Sequence, residues 1–165
     1  MIQTYLTTSK DIPDGYYFEV AAGRICEAYA ALQHRDEWTP MIHQRVAIVQ
    51  HGIRILVDAD DWSSRRDWPS AMQLAAQMPE KGFGYAQLPT RIQCIEIHKA
   101  RFRFFDRIND LAIRPSDFTG DIWTRDEADD PDLALRFAYV FDMGSGDIAR
   151  VSKFNTFAVR FIWEF

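Results

Sequence analysis

The sequence predicts an α+β domain, and three observations carry that expectation. Residues 44–57 alternate apolar and polar around a His51-Gly52 turn; residues 67–78 place an apolar stripe at helical spacing behind an aspartate; residues 134–163 return to alternation. With 165 residues and 47% hydrophobic content the chain can bury a substantial core, so it reads as one folded domain, with or without an extension.

From the N-terminus, Thr4-Tyr5-Leu6-Thr7 reads as a short strand and Pro13-Asp14-Gly15 as a turn. Phe18, Ala21, Ala22, Ile25, Ala28, Tyr29 and Leu32 recur at helical spacing and predict a helix over Phe18 to Leu32. His34-Arg35-Asp36-Glu37 is a polar break, and Pro40 discourages a helix through Thr39. Val46 and Ile48, then Ile53, Ile55 and Val57, define the two arms of a hairpin. Asp58, Asp60 and Asp61 end it with charge, as a solvated strand end or a weak candidate for metal. Asp67 is the N-cap of a helix carrying Trp68, Ala71, Met72, Ala75 and Met78 on one side, with Pro69 in its first turn.

Gly84-Tyr85-Ala86-Gln87-Leu88-Pro89-Thr90-Arg91 then stops an extended segment and starts a helix. Pro89 forces Leu88 out of the α region, and Thr90 with Gln93 completes a capping box for a helix running to about Phe105. In the C-terminal third, Leu135, Phe137, Tyr139 and Phe141 share one strand face, with Ala134, Arg136, Ala138, Val140 and Asp142 on the other. Gly144-Ser145-Gly146 turns the chain into Ile148 to Lys153. A last strand from Phe157 to Trp163 alternates Phe157, Val159, Phe161 and Trp163 against Ala158, Arg160 and Ile162. This alternation reads Tyr139, Phe141, Phe157 and Phe161 as core, and Trp123 as a large buried side chain rather than a ligand-stacking one.

The order of these segments, with Leu88-Pro89-Thr90, Ile122-Trp123-Thr124, Ala138 to Gly146 and Val159-Arg160-Phe161-Ile162, resembles a bacterial and phage family of C-type-lectin-like domains that includes the C-terminal domain of a collagen-like adhesin. The family pattern is an amphipathic helix, a "WRLPT" helix start, a "W-S-S" strand, an "A-W/Y-x-V-x-F-x-x-G" hairpin and a terminal "VR-x-V". Here Ala86 and Gln87 stand for its Trp and Arg, and Thr124-Arg125 for its two serines. The resemblance implies a C-type-lectin-like fold over residues 44–165, two helices packed on a small twisted antiparallel sheet. Residues 1–43 then form a helix-containing N-terminal extension for attachment or self-association.

A formal net charge of −5 leaves no surplus of Lys and Arg to displace counterions, which argues against nucleic acid and anionic membrane as general partners; a local basic face remains around Arg101, Arg103 and Arg107. Cys26 and Cys94 are far apart and form no metal or redox motif, so they read as buried free thiols. No basic-then-apolar leader and no apolar run of membrane-spanning length is visible, so synthesis in the cytoplasm without a signal peptide is expected, with release into a virion by lysis as a further route.

Catalysis finds no positive support. His34, His43, His51 and His98 fit neither HExxH nor a serine-nucleophile motif. Cys94 and His98 are four apart on one helix, the spacing of a thiolate–imidazole pair, although a core cysteine near a helix-surface histidine is much commoner than a catalytic dyad. The paired cysteines of the formylglycine-generating enzymes, which share the lectin-like fold, have no counterpart. Arg125 to Asp132 is rich in carboxylates but lacks the EF-hand spacing and glycine, and the lectin calcium signatures are absent, so neither metal nor cofactor is expected.

The resemblance places variable ligand-binding loops between the second helix and the last hairpin. Here that segment offers Arg107, Asn109, Arg114, Asp117, Arg125, Asp126, Glu127, Asp129 and Asp130 as ligand-binding candidates, and Arg150, Lys153, Asn155 and Arg160 lie near the hairpin beside it. The implied function is a noncatalytic recognition module of a phage or prophage virion, on a tail or head fibre, binding a host-surface glycan or protein. The alternative is an intracellular or virion-assembly interaction protein that docks through its extension; the least favoured reading is a cation-dependent hydrolase using the acidic loop.

Overall fold

The structure, a computed structural model, describes residues 3–34, 45–58, 65–78, 84–103 and 120–165. Nine strands appear among them: β1 Thr4–Leu6, β2 Gly15–Ala21, β3 Arg24–Glu27, β4 Arg45–Gln50, β5 Ile53–Asp58, β6 Asp121–Glu127, β7 Phe137–Asp142, β8 Ile148–Ser152 and β9 Ile162–Glu164. Four helices accompany them: α1 Ala28–Gln33, α2 Trp68–Gln77, α3 Arg91–Arg103 and α4 Pro131–Ala134. The strands form two antiparallel sheets, one ordered β1-β3-β2-β4-β5-β9 and one ordered β6-β7-β8. The expected fold of two helices on one small sheet is therefore corrected to a mostly β architecture with two sheets.

Much of the difference lies in residues 15–27. Their helical periodicity comes from small alanines, whereas Tyr16-Tyr17-Phe18 favours extended backbone and Gly23, at φ 76°, turns β2 back into β3. Phe18 pairs with Cys26 and Tyr17 with Glu27, so of the expected helix only the part from Ala28 to Leu32 is helical, within α1. Because β2 also pairs with β4, the large sheet runs straight across the expected boundary at residues 43/44.

Both faces of this sheet are covered, which explains its long apolar runs. Phe18, Val46, Ile48, Ile55 and Val57 pack toward Cys94, Ile97 and Ala100 of α3. Their alternating neighbours Tyr17, Ala47, Val49 and Leu56 pack with Ala71 and Ala75 of α2 and with Trp123, Ala138 and Val140 of the smaller sheet. A buried pair, Glu19 and Arg45, bridges β2 and β4 at 2.5–2.6 Å, with the guanidinium carbon 5.0 Å from the Trp163 ring centroid.

The local signals around both long helices are realised. Asp67 accepts a hydrogen bond from Ser70 N (2.9 Å) at the start of α2. At α3, Gln93 N donates to Thr90 Oγ1 (3.1 Å) while Thr90 N donates to Gln93 Oε1 (2.8 Å), the reciprocal capping box. Trp123 is fully buried and its indole N–H donates to Arg66 O at 2.7 Å.

The end of the chain departs from simple alternation. Only Ile162–Glu164 joins the large sheet, while Phe157 pairs with Arg66 and Ala158 bridges Ile122. Residues 159–163 are all buried, Arg160 included, as the chain runs from its bridge to the smaller sheet at Ala158 to the edge of the larger sheet at Ile162. Leu135, expected on a strand face, follows the short helix α4 and is 84% exposed; Tyr139 and Phe157, expected in the core, are half-buried. Asp58 is buried rather than a solvated strand end, and Asp60 and Asp61 lie outside the described residues.

Candidate functional site

Of the expected ligand-binding residues, Arg107, Asn109, Arg114 and Asp117 lie outside the described residues. The other five cluster where β6 ends. Its pairing with β7 is irregular between Trp123 and Glu127, and Arg125 N donates instead to Pro89 O (2.9 Å), drawing the end of β6 against the start of α3.

Two of the five, Asp126 and Asp129, hold that junction through Arg91, and Glu127 and Asp130 are engaged beside it. Asp126 Oδ2 accepts from Arg91 N (2.8 Å) and Nε (3.2 Å), placing a carboxylate on the first turn of α3. Asp129 accepts from Arg91 Nη2 and from the Tyr139 hydroxyl, each at 2.9 Å, while the guanidinium lies 4.1 Å from the Tyr139 ring centroid. Those two hydrogen bonds hold the Asp129 carboxyl below the ordinary carboxylate value. Glu127 accepts from Lys153 Nζ (2.5 Å), and Asp130 caps α4 through Asp132 N (2.9 Å). No group of three or more His, Cys, Asp or Glu suited to a metal ion occurs among the described residues.

Nor do Cys94 and His98 form a reactive pair. Burial pushes the Cys94 thiol far above its ordinary value, favouring the neutral form, and His98 Nδ1 lies 3.1 Å from Met143 O. Cys26 is also buried and free, its thiol pushed up to about 11 by the same cause. Of the basic residues near the hairpin, whose orientation the sequence leaves open, Lys153 reaches the acidic turn through Glu127, and Arg160 is buried.

Arg125 is different. Its Nη2 donates to Glu164 Oε1 (2.9 Å), its Nη1 donates to Gln87 Oε1, and Glu164 Oε1 also accepts from Gln93 Nε2 (2.7 Å). The side chain borders a groove of about 620 Å³. Met72, Ala75 and Ala76 of α2 form one wall. Tyr85, Ala86 and Leu88 form the other, with Gln87 beside Arg125 on the rim.

Local sequence explains this concavity. Alanines on α2 leave space that larger side chains would fill, and Gly84 at φ 81° aims the next segment along the helix. Gln87 and Ile162 exchange two backbone hydrogen bonds, both 2.9 Å, which fix the segment to β9 and leave Tyr85 66% exposed. Sequence reasoning assigned Met72, Ala75 and Ala86 no ligand role; the available signal was the run of small residues opposite an aromatic residue after glycine.

Chemically, the groove offers apolar contact plus the N–H donors of one guanidinium and one amide. A smaller concavity of about 290 Å³ is bordered by Glu164 with Arg54, Gln93 and Phe165. No family model matches the sequence, and no curated protein matches it significantly. Among the described residues no helix is long and apolar enough to cross a membrane.

Proposed function

We propose that the chain is a noncatalytic ligand-recognition module whose binding surface is the groove between α2 and residues 85–88. The observation that carries this reading is a concave surface of about 620 Å³ lined mainly by apolar side chains, with Gln87 and Arg125 as its polar groups. That size falls among small-molecule sites, roughly 300–1,000 Å³. Recognition is favoured over turnover because the nearby carboxylates have structural partners, Glu164 with Arg125 and Gln93, Asp126 with Arg91. The sequence resemblance adds the finer proposal of a phage or prophage virion and a host-surface ligand, for which detection of the chain in purified virions by mass spectrometry is the check.

A titration of the ¹⁵N-labelled chain with small apolar fragments tests the groove itself. Amide shifts are expected at Ala76 and Tyr85 to Leu88. Shifts confined to other surfaces would overturn the assignment.

One observation favours a second reading, an interaction or assembly protein. Leu135 and Phe154 are 84% and 81% exposed and flank the Lys153 N to Arg136 O hydrogen bond, forming an apolar pair that a partner would cover. Loss of partner capture in L135S/F154S, with fragment binding retained, would separate this role from the groove.

A further inference from the structure

We propose that the groove selects a small carboxylic acid with an apolar body, and that Arg125 receives its carboxylate; this inference rests on the groove being the binding surface. Six of the side chains bordering the groove are apolar or, like Tyr85, largely so, and only Gln87 and Arg125 bring polar side chains of other kinds. A ligand that fills it therefore needs an apolar body with its polarity gathered at one end.

The rim decides which polar group that is. A guanidinium carries five N–H donors in a planar fork. Among the described residues, Arg125 uses one toward Gln87 and one toward Glu164, and the Gln87 amide N–H donors have no partner. Donors in excess, with a positive charge among them, match an anionic acceptor with two oxygens in one plane. Gln87 contributes its amide from backbone pinned to β9, so the donors stand on a fixed frame.

Glu164 sets the affinity. Its carboxylate already takes one Arg125 Nη2 donor at 2.9 Å, and its side chain is 43% exposed. It partly neutralises the guanidinium and opposes a second carboxylate nearby. The same residue lines the smaller concavity with Gln93, so the Arg125–Glu164 hydrogen bond links the linings of the two hollows. A ligand acid in the groove would share Arg125 with Glu164 rather than displace it from an empty site.

The test compares 4-tert-butylbenzoate with its uncharged amide, by ¹⁵N chemical-shift titration of the full chain. The acid is expected to bind roughly tenfold more tightly, as a charge-assisted bidentate contact to arginine predicts. Arg125→Gln should abolish that preference while keeping amide binding, and Arg125→Lys should restore only part of it because the fork is lost. Glu164→Gln should strengthen acid binding about threefold, as removal of a like charge predicts, and leave the amide unchanged. Equal binding of acid and amide at Tyr85 to Leu88 would overturn the ligand class and leave the groove reading standing. No shifts there with either probe would overturn both. Spectral dispersion of each variant shows that it is folded.

Discussion

Arg91 and Arg125 stand on either side of the junction between β6 and α3, and their surroundings differ. Arg91 is enclosed by Asp126, Asp129 and the Tyr139 ring, with Nε, Nη1 and Nη2 all directed at carboxylate oxygens. Arg125 meets one carboxylate and one amide and borders an apolar groove. The densest charge in the sequence, residues 125–132, thus builds the junction. The surface best suited to a ligand lies where charge is sparse. The carboxylates there already accept from the backbone and side chains they hold, whereas Arg125 uses two of its five donors and keeps the others to offer.

Removing the floor common to both regions should have the largest effect. Trp123 is fully buried, donates to Arg66 O and meets Phe157 edge-on with centroids 5.0 Å apart. Trp123→Ala is expected to destabilise by about 3–5 kcal/mol, read from urea denaturation. An unchanged midpoint would mean the indole does not support the two regions.

A smaller change separates them. Thr90→Ala removes the acceptor for Gln93 N and should cost about 1 kcal/mol, loosening the first turn of α3 that carries Arg91. Gln87 remains held by its backbone pairing with Ile162, so fragment binding in the groove should persist. Loss of binding in this variant would join the two regions into one unit.

The smallest expected effect is confined to acid. Hydrogen bonds from Arg91 and Tyr139 depress the folded-state value of Asp129 below its ordinary 3.8, so the stability it contributes is present above that pH and is lost as pH falls through the lower folded value. Asp129→Asn should make the acid arm of the stability–pH curve shallower, and only in part, since Asp142 is depressed in the same sense by its bonds to Gly144 and Ser145. An identical acid arm in the variant would show that Arg91 does not hold this carboxylate in solution.

Legibility in the sequence followed the range of the signal. The β4–β5 hairpin, the Asp67 cap and the Thr90–Gln93 box are written within a few residues, and each is present. The β2–β3 hairpin was missed because alanines at helical spacing imitate an apolar stripe, while a strand buried on both faces has no polar alternation to betray it. The partners of the acidic turn were equally hidden, since Arg91 and Tyr139 reach it from α3 and β7. The groove joins positions from 72 to 125, and its volume comes from what small side chains leave unfilled.

The course of residues 157–164 from the smaller sheet to the edge of the larger also constrains how the molecule is made. β9 closes onto β5 from about a hundred residues downstream, and the same stretch meets Arg66, Gln87 and Ile122, so contacts of long sequence separation dominate this seam. On the ribosome, β2 to β5 can assemble early, but their outer edge stays open until residue 164 emerges. During that interval the apolar face later covered by the smaller sheet is available to chaperones and to other nascent chains.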